Sequence, residues 1–359
     1  MAKPRIVAFY LPQYHPTKEN NEWWGPGFTE WTNVALSRPL FKGHFQPQIP
    51  GELGFYDLRL DESRVAQADL ARQYGIEGFI YWHYWLDEKT QLLEMPYKRL
   101  LETKKPDFPF CLAWANHSWK GVFFGSDNML VEQKYGGDDD YIKHFNYVLE
   151  AFKDPRYMKV GSKPIFYIYH PTEIPDCKHF TELWNELAKK EGFSEGIHFI
   201  GEGHNLDLKK YGLNGAAYCN HRRIASHNAL DIKNKYLRYA TWLLTRKRGL
   251  QVYEYKDAMK YFLYDKVTPE HVYPSIVPGW DTTPRLGKKA VILTNTTPEL
   301  FGKHVREVLD SVKHRTGEEN IVFVKSWNEW AEGNYLEPSW KYGRKFLEEL
   351  KKQLDKHEG

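Results

Sequence analysis

The feature that most constrains the fold of this chain is a recurrence of short apolar runs between amphipathic stretches. Runs rich in β-branched and aromatic residues, separated by helical patterns, are typical of parallel strands that alternate with helices. Eight such runs are present, at Ile6–Leu11, Gly78–His83, Phe110–Trp114, Pro164–Tyr169, Phe199–Glu202, Ala216–Cys219, Val272–Val277 and Ile321–Trp327. Eight parallel strands close a barrel, so we predict an α/β fold, a single (β/α)8 TIM barrel with long βα loops. We expect this barrel to span residues 1–359 as one domain.

The stretches between these runs carry the periodicity of amphipathic helices. Helices are predicted at Ser63–Tyr74, Leu92–Thr103, Tyr141–Phe152, Phe180–Glu191, Lys233–Arg246, Pro298–His314 and Trp340–Lys356. The loop from Pro12 to about Leu60 is far longer than a connector requires, and it is rich in Trp, Pro and Gly. Long loops after barrel strands usually belong to the functional face.

Polar residues cluster at the points where the predicted strands end. These residues are His15, His83, Asn116, His117, His170, His204, Asn205, Asn220, His221, Asp281, Arg285, Glu329 and Glu332. Because the C-terminal ends of parallel barrel strands converge, we expect these residues to form one polar pocket rather than eight unrelated polar positions.

Aromatic residues accompany this polar set, and 13 Trp, 24 Tyr and 20 Phe make up 16% of the chain. Aromatic faces stack on the apolar faces of sugar rings, so an excess at the barrel mouth favours a carbohydrate cleft. The alternative is a Trp-rich core. The cleft interpretation predicts that the pocket is lined by Tyr14, Trp24, Trp31, Trp82, Tyr84 and Trp114.

The segment SWNEWAEGNYLEP at residues 326–338 places two carboxylates, Glu329 and Glu332, at the end of the last strand. Paired carboxylates perform acid–base chemistry on glycosidic bonds, because one stays protonated while the other is ionised. Residues three apart on a strand face opposite sides, so a shared pocket requires a turn, which Gly333 permits. The alternative is an acidic pair at a helix N-terminus. A third acid, Glu337, is interpreted as structural.

Composition and charge disfavour other classes of partner. The net charge is only +3 and the basic residues are scattered, which does not favour nucleic acid. Three widely spaced cysteines predict neither a disulfide framework nor a metal cluster. No long apolar segment occurs, so we expect a cytoplasmic protein without stable membrane insertion. We also expect no cofactor and no metal.

Six motifs carry a resemblance to a known family. They are AFYLPQYH at 8–15, WWGPGFTEWTN at 23–33, YWHYW at 81–85, WAN at 114–116, PGWDTTPR at 278–285 and NEWAEG at 328–333. Together they resemble the WbsX-like family of polysaccharide gene clusters, which is often described as glycosyltransferase and is similar to glycoside hydrolase family 99, the endo-α-mannosidases. The resemblance spans almost the whole chain. It departs at residues 122–127, VFFGSD, where many relatives carry a Trp-Asp-Gly element.

The resemblance implies a metal-independent retaining mechanism carried by a Glu-x-x-Glu pair. Glu329 then deprotonates the sugar 2-hydroxyl, which attacks the anomeric carbon, while Glu332 protonates the leaving oxygen and later activates water. The substrate is an oligosaccharide or polysaccharide. Motifs and strand ends together predict that it is bound by Tyr10, Tyr14, His15, Trp24, Glu30, Trp31, Tyr81, His83, Tyr84, Trp114, Asn116, His170, Trp280, Asp281, Arg285, Trp327 and Asn328.

Three alternatives stay open. A nucleotide-sugar glycosyltransferase fits the family description, although the acidic run at residues 138–140 is the only weak candidate for a metal clamp. A non-catalytic carbohydrate-binding barrel would keep the fold and lose the chemistry. A metal hydrolase would require His15, His83 and His204 to meet, without the ligand spacing typical of such sites.

Overall fold

A computed structural model describes residues 3–121, 128–225 and 250–358 of the chain. Its centre is a barrel of eight parallel strands, and each neighbouring pair is joined by a parallel hydrogen-bond ladder or by the two halves of β7. The strands are β1 Arg5–Tyr10, β2 Gly78–Asp87, β3 Phe110–Trp114, β4 Lys163–Ile168, β5 His198–Glu202, β6 Gly215–Ala217, β7 Val272–Tyr273 with Ser275–Ile276, and β8 Ile321–Val324. The predicted barrel is therefore confirmed.

The seventh strand differs from its prediction as one continuous strand. Val272–Tyr273 pairs with β6, whereas Ser275–Ile276 pairs with β8. Pro274 separates the two pieces, and proline supplies no N–H to a ladder. Its carbonyl nevertheless accepts a hydrogen bond of 3.0 Å from the Phe323 N–H, so the wall continues across the break.

The helices lie mainly where the periodicity predicts them. They are α1 Lys18–Trp24, α2 Glu30–Leu36, α3 Asp61–Gln73, α4 Met95–Thr103, α5 Asp138–Lys153, α6 Cys177–Lys190, α7 Leu208–Tyr211, α8 Tyr255–Ala258, α9 Thr283–Leu286, α10 Pro298–Val312 and α11 Lys345–Glu358. The predicted helix Lys233–Arg246 lies outside the described residues. The last helix begins at Lys345 rather than Trp340, because residues 339–343 form a turn that ends at Gly343 with φ +54°.

Short strands outside the barrel were not predicted. Thr90–Leu92 pairs antiparallel with β2, and Lys159–Val160 pairs antiparallel with β4. Trp119–Lys120 pairs with Met129–Val131, Gln251–Glu254 pairs with Val291–Thr294, and Asn328–Glu329 pairs with Asn334–Tyr335. None of the helices in the described ranges is both long and apolar enough to cross a membrane. The assignment of residues 1–359 to one domain stays a prediction.

Alternation along the strands decides which side chains face the barrel interior. Phe9 packs inside against Trp82 at 4.8 Å, Tyr167 at 5.2 Å and Phe323 at 5.5 Å between ring centroids. The neighbouring Tyr10 points the other way and donates a hydrogen bond to Gln67 of α3. The barrel is therefore filled by aromatic rings at mid-height, and only side chains above this layer can reach an open pocket.

Candidate active site

The two predicted catalytic carboxylates lie on a tight hairpin that follows β8. Residues 328–335 form this hairpin around a single 3-10 turn, Trp330–Glu332. Gly333 ends the turn with φ +58°, and a Cβ there would lie within 3 Å of neighbouring backbone. Because the chain turns here, Glu329 and Glu332 both line one pocket, which confirms the predicted geometry.

This pocket has a volume of about 360 Å³ and opens at the C-terminal end of the barrel strands, the usual location of active sites in this fold. It is lined by Leu11, Gln13, Trp82, Tyr84, Ala115, His117, Ser118, Trp119, Lys120, Tyr169, Arg285, Lys325, Glu329 and Glu332. Aromatic rings and charged side chains alternate around it, which is the composition expected of a site for a polar ligand with apolar faces.

Arg285, in α9, holds three carboxylates together. Its Nη1 donates a 2.6 Å hydrogen bond to Oε1 of Glu332, and its Nη2 lies 3.2 Å from Oε2 of Glu329. The same guanidinium lies 3.2 Å from Oε2 of Glu30, which is fully buried at the start of α2. One guanidinium thus holds both pocket carboxylates close together, while Glu30 holds Arg285 from behind.

The two pocket carboxylates differ in depth. The side chain of Glu329 is 8% exposed and that of Glu332 is 21% exposed, so Glu332 lies nearer to solvent, as predicted. Burial, together with the charge of Glu332, raises the pKa of Glu329 to about 8. Burial also raises the pKa of Glu30. The raised pKa favours the protonated form of Glu329 in the empty pocket, although the family mechanism uses this residue as a base.

A layer of hydrogen bonds fixes the hairpin from below. The Tyr14 hydroxyl donates to the Asn328 carbonyl and accepts from the Trp330 N–H at 3.1 Å. The Asn328 side chain accepts from the Leu11 N–H at 2.7 Å and donates to the Tyr56 hydroxyl at 3.2 Å. Every polar atom of the Asn328 amide is occupied within the protein, so this residue positions the neighbouring Glu329.

Thirteen of the seventeen predicted substrate-binding residues fall into three groups. Tyr84 and Arg285 line the pocket. A second group lies behind or beside the pocket and supports it: Tyr14, Glu30, Trp31, Asn116, Asp281 and Asn328. His15, Trp24 and His170 are not among the side chains that line it.

The third group was wrongly predicted to face the pocket. Tyr10, Tyr81, His83, Trp114 and Trp327 lie on the outer side of the barrel wall, beneath the helices. All five face outward for the same reason: each one alternates along its strand, or along the extension of that strand, with a residue that faces inward. Of the six aromatic residues predicted to line the pocket, Trp82 and Tyr84 line it, Tyr14, Trp24 and Trp31 do not, and Trp114 lies beneath the helices.

Trp280 and Asp281 border a different, second cavity of about 160 Å³. Asp281 accepts hydrogen bonds from His44 at 2.8 Å and Gln46 at 2.7 Å, and its N–H donates to the Glu332 carbonyl at 2.6 Å. Asp281 therefore ties the first long loop to the catalytic hairpin and does not line the carboxylate pocket.

Lys325 and Tyr169 are pocket residues that the sequence interpretation did not select. Strand alternation could have identified Lys325, because Phe323 faces inward and a residue two positions later on the strand faces the same side. Among the described residues, no group of three or more His, Cys, Asp and Glu side chains is arranged to hold a metal ion. His83 bonds His144 beneath α5, so it does not meet His15 at the pocket.

The fold has close counterparts among solved structures. A glycoside hydrolase-like protein matches with TM-score 0.59 and 14% identity over 99% of this chain and 94% of that chain. A family 99 endo-α-mannosidase from Bacteroides thetaiotaomicron matches with TM-score 0.58 and 14% identity over 100% and 98%. The same enzyme in complex with bis-tris propane gives 0.57 and 13% over 100% and 98%. This likeness identifies the class of fold, a barrel of the glycoside hydrolase type.

The family follows from sequence. The model described as glycosyltransferase WbsX matches residues 6–350, so the chain belongs to the WbsX family. An uncharacterized protein, WxcX, from Xanthomonas campestris pv. campestris strain B100 is 32% identical over 355 residues, which are 97% of this chain and 49% of that protein. The WxcX of strain ATCC 33913 matches to the same extent. The chain therefore spans about half the length of these curated relatives. Family and fold together place it among carbohydrate-active proteins.

Proposed function

We propose that this chain is a retaining glycoside hydrolase or transglycosidase acting on a bacterial cell-surface polysaccharide or oligosaccharide. The observation that carries the proposal is the convergence of Glu329 and Glu332 on one aromatic-lined pocket, with Arg285 bonded to Glu332 and paired with Glu329. Mannose-containing glycans are the first substrates to test, because the solved neighbours include an endo-α-mannosidase.

The two carboxylates have separate tasks in the proposed reaction. Glu329 takes the proton of the sugar 2-hydroxyl, whose oxygen bonds to the anomeric carbon as the bond to the leaving oxygen breaks. Glu332 gives its proton to that leaving oxygen. In the second step Glu332 takes a proton from water, which attacks the anomeric carbon as the bond between that carbon and the 2-oxygen breaks, and Glu329 returns its proton to the 2-oxygen. Two displacements at one carbon retain its configuration.

This sequence requires the proton of the empty pocket to move from Glu329 to Glu332 when substrate binds. Arg285 supplies a route, because its guanidinium contacts both carboxylates. Substrate hydroxyls that displace its 2.6 Å bond to Glu332 would release the guanidinium, which would then stabilise ionised Glu329.

The test is a panel of aryl glycosides and mannose-containing oligosaccharides, incubated with the wild type, Glu332→Gln and the control Glu186→Gln. Glu186 is exposed on α6 and has the same chemical change far from the pocket. We expect cleavage or transfer that survives in the control and is lost in Glu332→Gln. Product formation that does not depend on Glu332 contradicts the proposal.

The second candidate is a nucleotide-sugar glycosyltransferase, favoured by the description of the family. The acidic run at residues 138–140 does not strengthen it, because these residues form the first turn of α5 and Asp140 accepts a hydrogen bond from Trp85. Turnover of uridine or guanosine diphosphate sugars with a divalent metal would replace the hydrolase proposal. A carbohydrate-binding barrel without catalysis would instead bind the panel and release no product from it.

A further inference from the structure

Lys325 lies just after β8 and projects into the carboxylate pocket, where the family mechanism gives it no task. Its side chain is only 8% exposed. The ammonium lies 4.6 Å from the ring centroid of Trp82, 4.8 Å from Phe9 and 5.4 Å from Tyr169. Three aromatic faces therefore hold a buried cation at the floor of the pocket.

The ammonium has spare hydrogen-bonding capacity. Its nearest carboxylate oxygen is Oε2 of Glu202 at 3.8 Å, which is beyond hydrogen-bonding distance, and that oxygen already accepts from the Tyr167 hydroxyl at 2.9 Å. Within residues 3–121, 128–225 and 250–358, no acceptor bonds to Lys325. A lysine carries three donors, and those of Lys325 face the pocket. These donors are therefore available to a bound molecule.

The charges around the pocket indicate which acceptor fits. Arg285 is already engaged by Glu30, Glu329 and Glu332, and Lys325 is the only other buried cation among the residues that line the described pocket. Even with Glu329 counted as protonated, Glu30, Glu332 and Glu202 face the two buried cations, so no positive charge is left uncompensated. An anionic sugar would gain no net attraction here, whereas neutral hydroxyls accept hydrogen bonds without adding charge.

We propose that Lys325 is a substrate-binding residue that donates hydrogen bonds to hydroxyl groups of a neutral sugar in the carboxylate pocket. The assignment rests on the proposed function, since it requires a sugar in this pocket. It adds a specificity determinant: Lys325 selects a sugar with hydroxyls at the pocket floor over the corresponding deoxy sugar and over a uronic acid. A site that hydrogen-bonds a hydroxyl rejects the analogue that lacks it, because the protein donor is then left unpaired.

Binding is measured by calorimetry or ligand-observed NMR in a Glu332→Gln background, with methyl glycosides of mannose, glucose, galactose and glucuronic acid and their mono-deoxy forms. Lys325→Met keeps the length of the side chain and removes its donors. Lys189→Met, at the exposed end of α6, is the matched control. We expect Lys325→Met to weaken neutral glycosides about 10- to 100-fold, as for lost bonds to a charged donor. One mono-deoxy glycoside should lose its dependence on Lys325, and Lys325→Arg should retain part of the binding.

Bis-tris propane, a polyol that carries amines, is titrated as a second probe, and thermal unfolding of each variant reports whether the fold is intact. Removal of a like charge leaves its binding to Lys325→Met unchanged or tighter, opposite in sign to the effect on glycosides. Unchanged glycoside affinity in Lys325→Met overturns the assignment alone, and Lys325-dependent preference for the glucuronide overturns the neutral-sugar choice. If no glycoside binds the parent protein while bis-tris propane does, the proposed function fails and the assignment fails with it.

Discussion

The nine residues from Glu329 to Glu337 carry two kinds of carboxylate, and they differ in spare bonding capacity. Glu337 lines the second cavity, but it is bonded by the Tyr56 hydroxyl at 2.9 Å, the Trp330 indole at 2.6 Å and the Gln67 amide at 2.6 Å. The pocket pair, Glu329 and Glu332, instead shares the single guanidinium of Arg285 and lines the carboxylate pocket.

Proton affinity does not separate the two kinds. Burial raises the pKa of Glu337 to about 7 and that of Glu329 to about 8. A raised pKa therefore marks burial in both cases, whereas unused acceptor sites that face a cavity mark only the pair. The comparison teaches that the same chemical group serves structure where donors occupy its oxygens and is available for chemistry where acceptor sites stay open.

The largest expected difference is in catalysis, and it also separates the roles of Glu329 and Glu332. Glu332→Gln should lose about 100-fold or more in turnover of natural glycosides and recover much of it on an aryl glycoside with a good leaving group. Glu329→Gln should stay impaired on both, because a better leaving group does not replace the base. Initial rates on paired substrates measure this.

A 2-deoxy substrate provides the control for that assignment. It lacks the attacking oxygen, so the wild type should turn it over poorly. Normal turnover would exclude the anhydro-sugar route, and equal losses in both variants on both substrates would leave the two roles undivided and contradict the assignment.

The second effect concerns stability. Glu337→Gln replaces one acceptor oxygen by an NH2 group that faces a donor, which should lower the free energy of unfolding by about 1–3 kcal/mol. Denaturant titration measures this loss. Activity per folded molecule should fall much less than in Glu329→Gln, and a catalytic loss as large as that of the pocket variants would erase the distinction between the two kinds of carboxylate.

The smallest effect is a pH dependence. A carboxyl whose folded pKa is raised above its unfolded value stabilises the fold at low pH, and this stabilisation is lost as pH rises through the folded pKa. The contribution of Glu337 and Glu329 to the free energy of unfolding should therefore decline between about pH 5 and 8, opposite in sign to that of buried histidines such as His83 and His304, whose pKa burial lowers. The difference in free energy of unfolding between the wild type and Glu329→Gln should therefore change by about 1 kcal/mol or more across this range. A slope identical to that of the wild type contradicts the raised pKa of Glu329.

The barrel and the carboxylate turn were predictable because periodicity and turn residues are local properties of the sequence. The strand Phe110–Trp114 was predicted to the residue, and the turn at Gly333 was anticipated. The pocket lining was less predictable, because neighbouring residues such as Tyr10 and Leu11 differ only in the side of the wall they face. The position of a strand end does not show which side of the wall a residue faces, because this depends on the twist and register of the closed barrel.

The contacts that support the pocket from behind could not be predicted from the sequence, for a different reason. Glu30 matches a family motif, yet its buried position behind Arg285 depends on how the first long loop folds against α9. The network of Glu337 joins side chains from α3, the first loop and the hairpin. Such long-range pairs leave no local pattern.

The distances in sequence between these partners set an order of events during synthesis. The Asn328 side chain bonds Leu11 across 317 residues, Arg285 bonds Glu30 across 255, and Asp281 bonds His44 across 237. Long-range contacts form only after a large loss of chain entropy, and none of these can form before the C-terminal partner leaves the ribosome. The first long loop therefore cannot make these contacts until the segment that contains the last strand has been translated. The pocket is thus among the final parts of the molecule to be assembled.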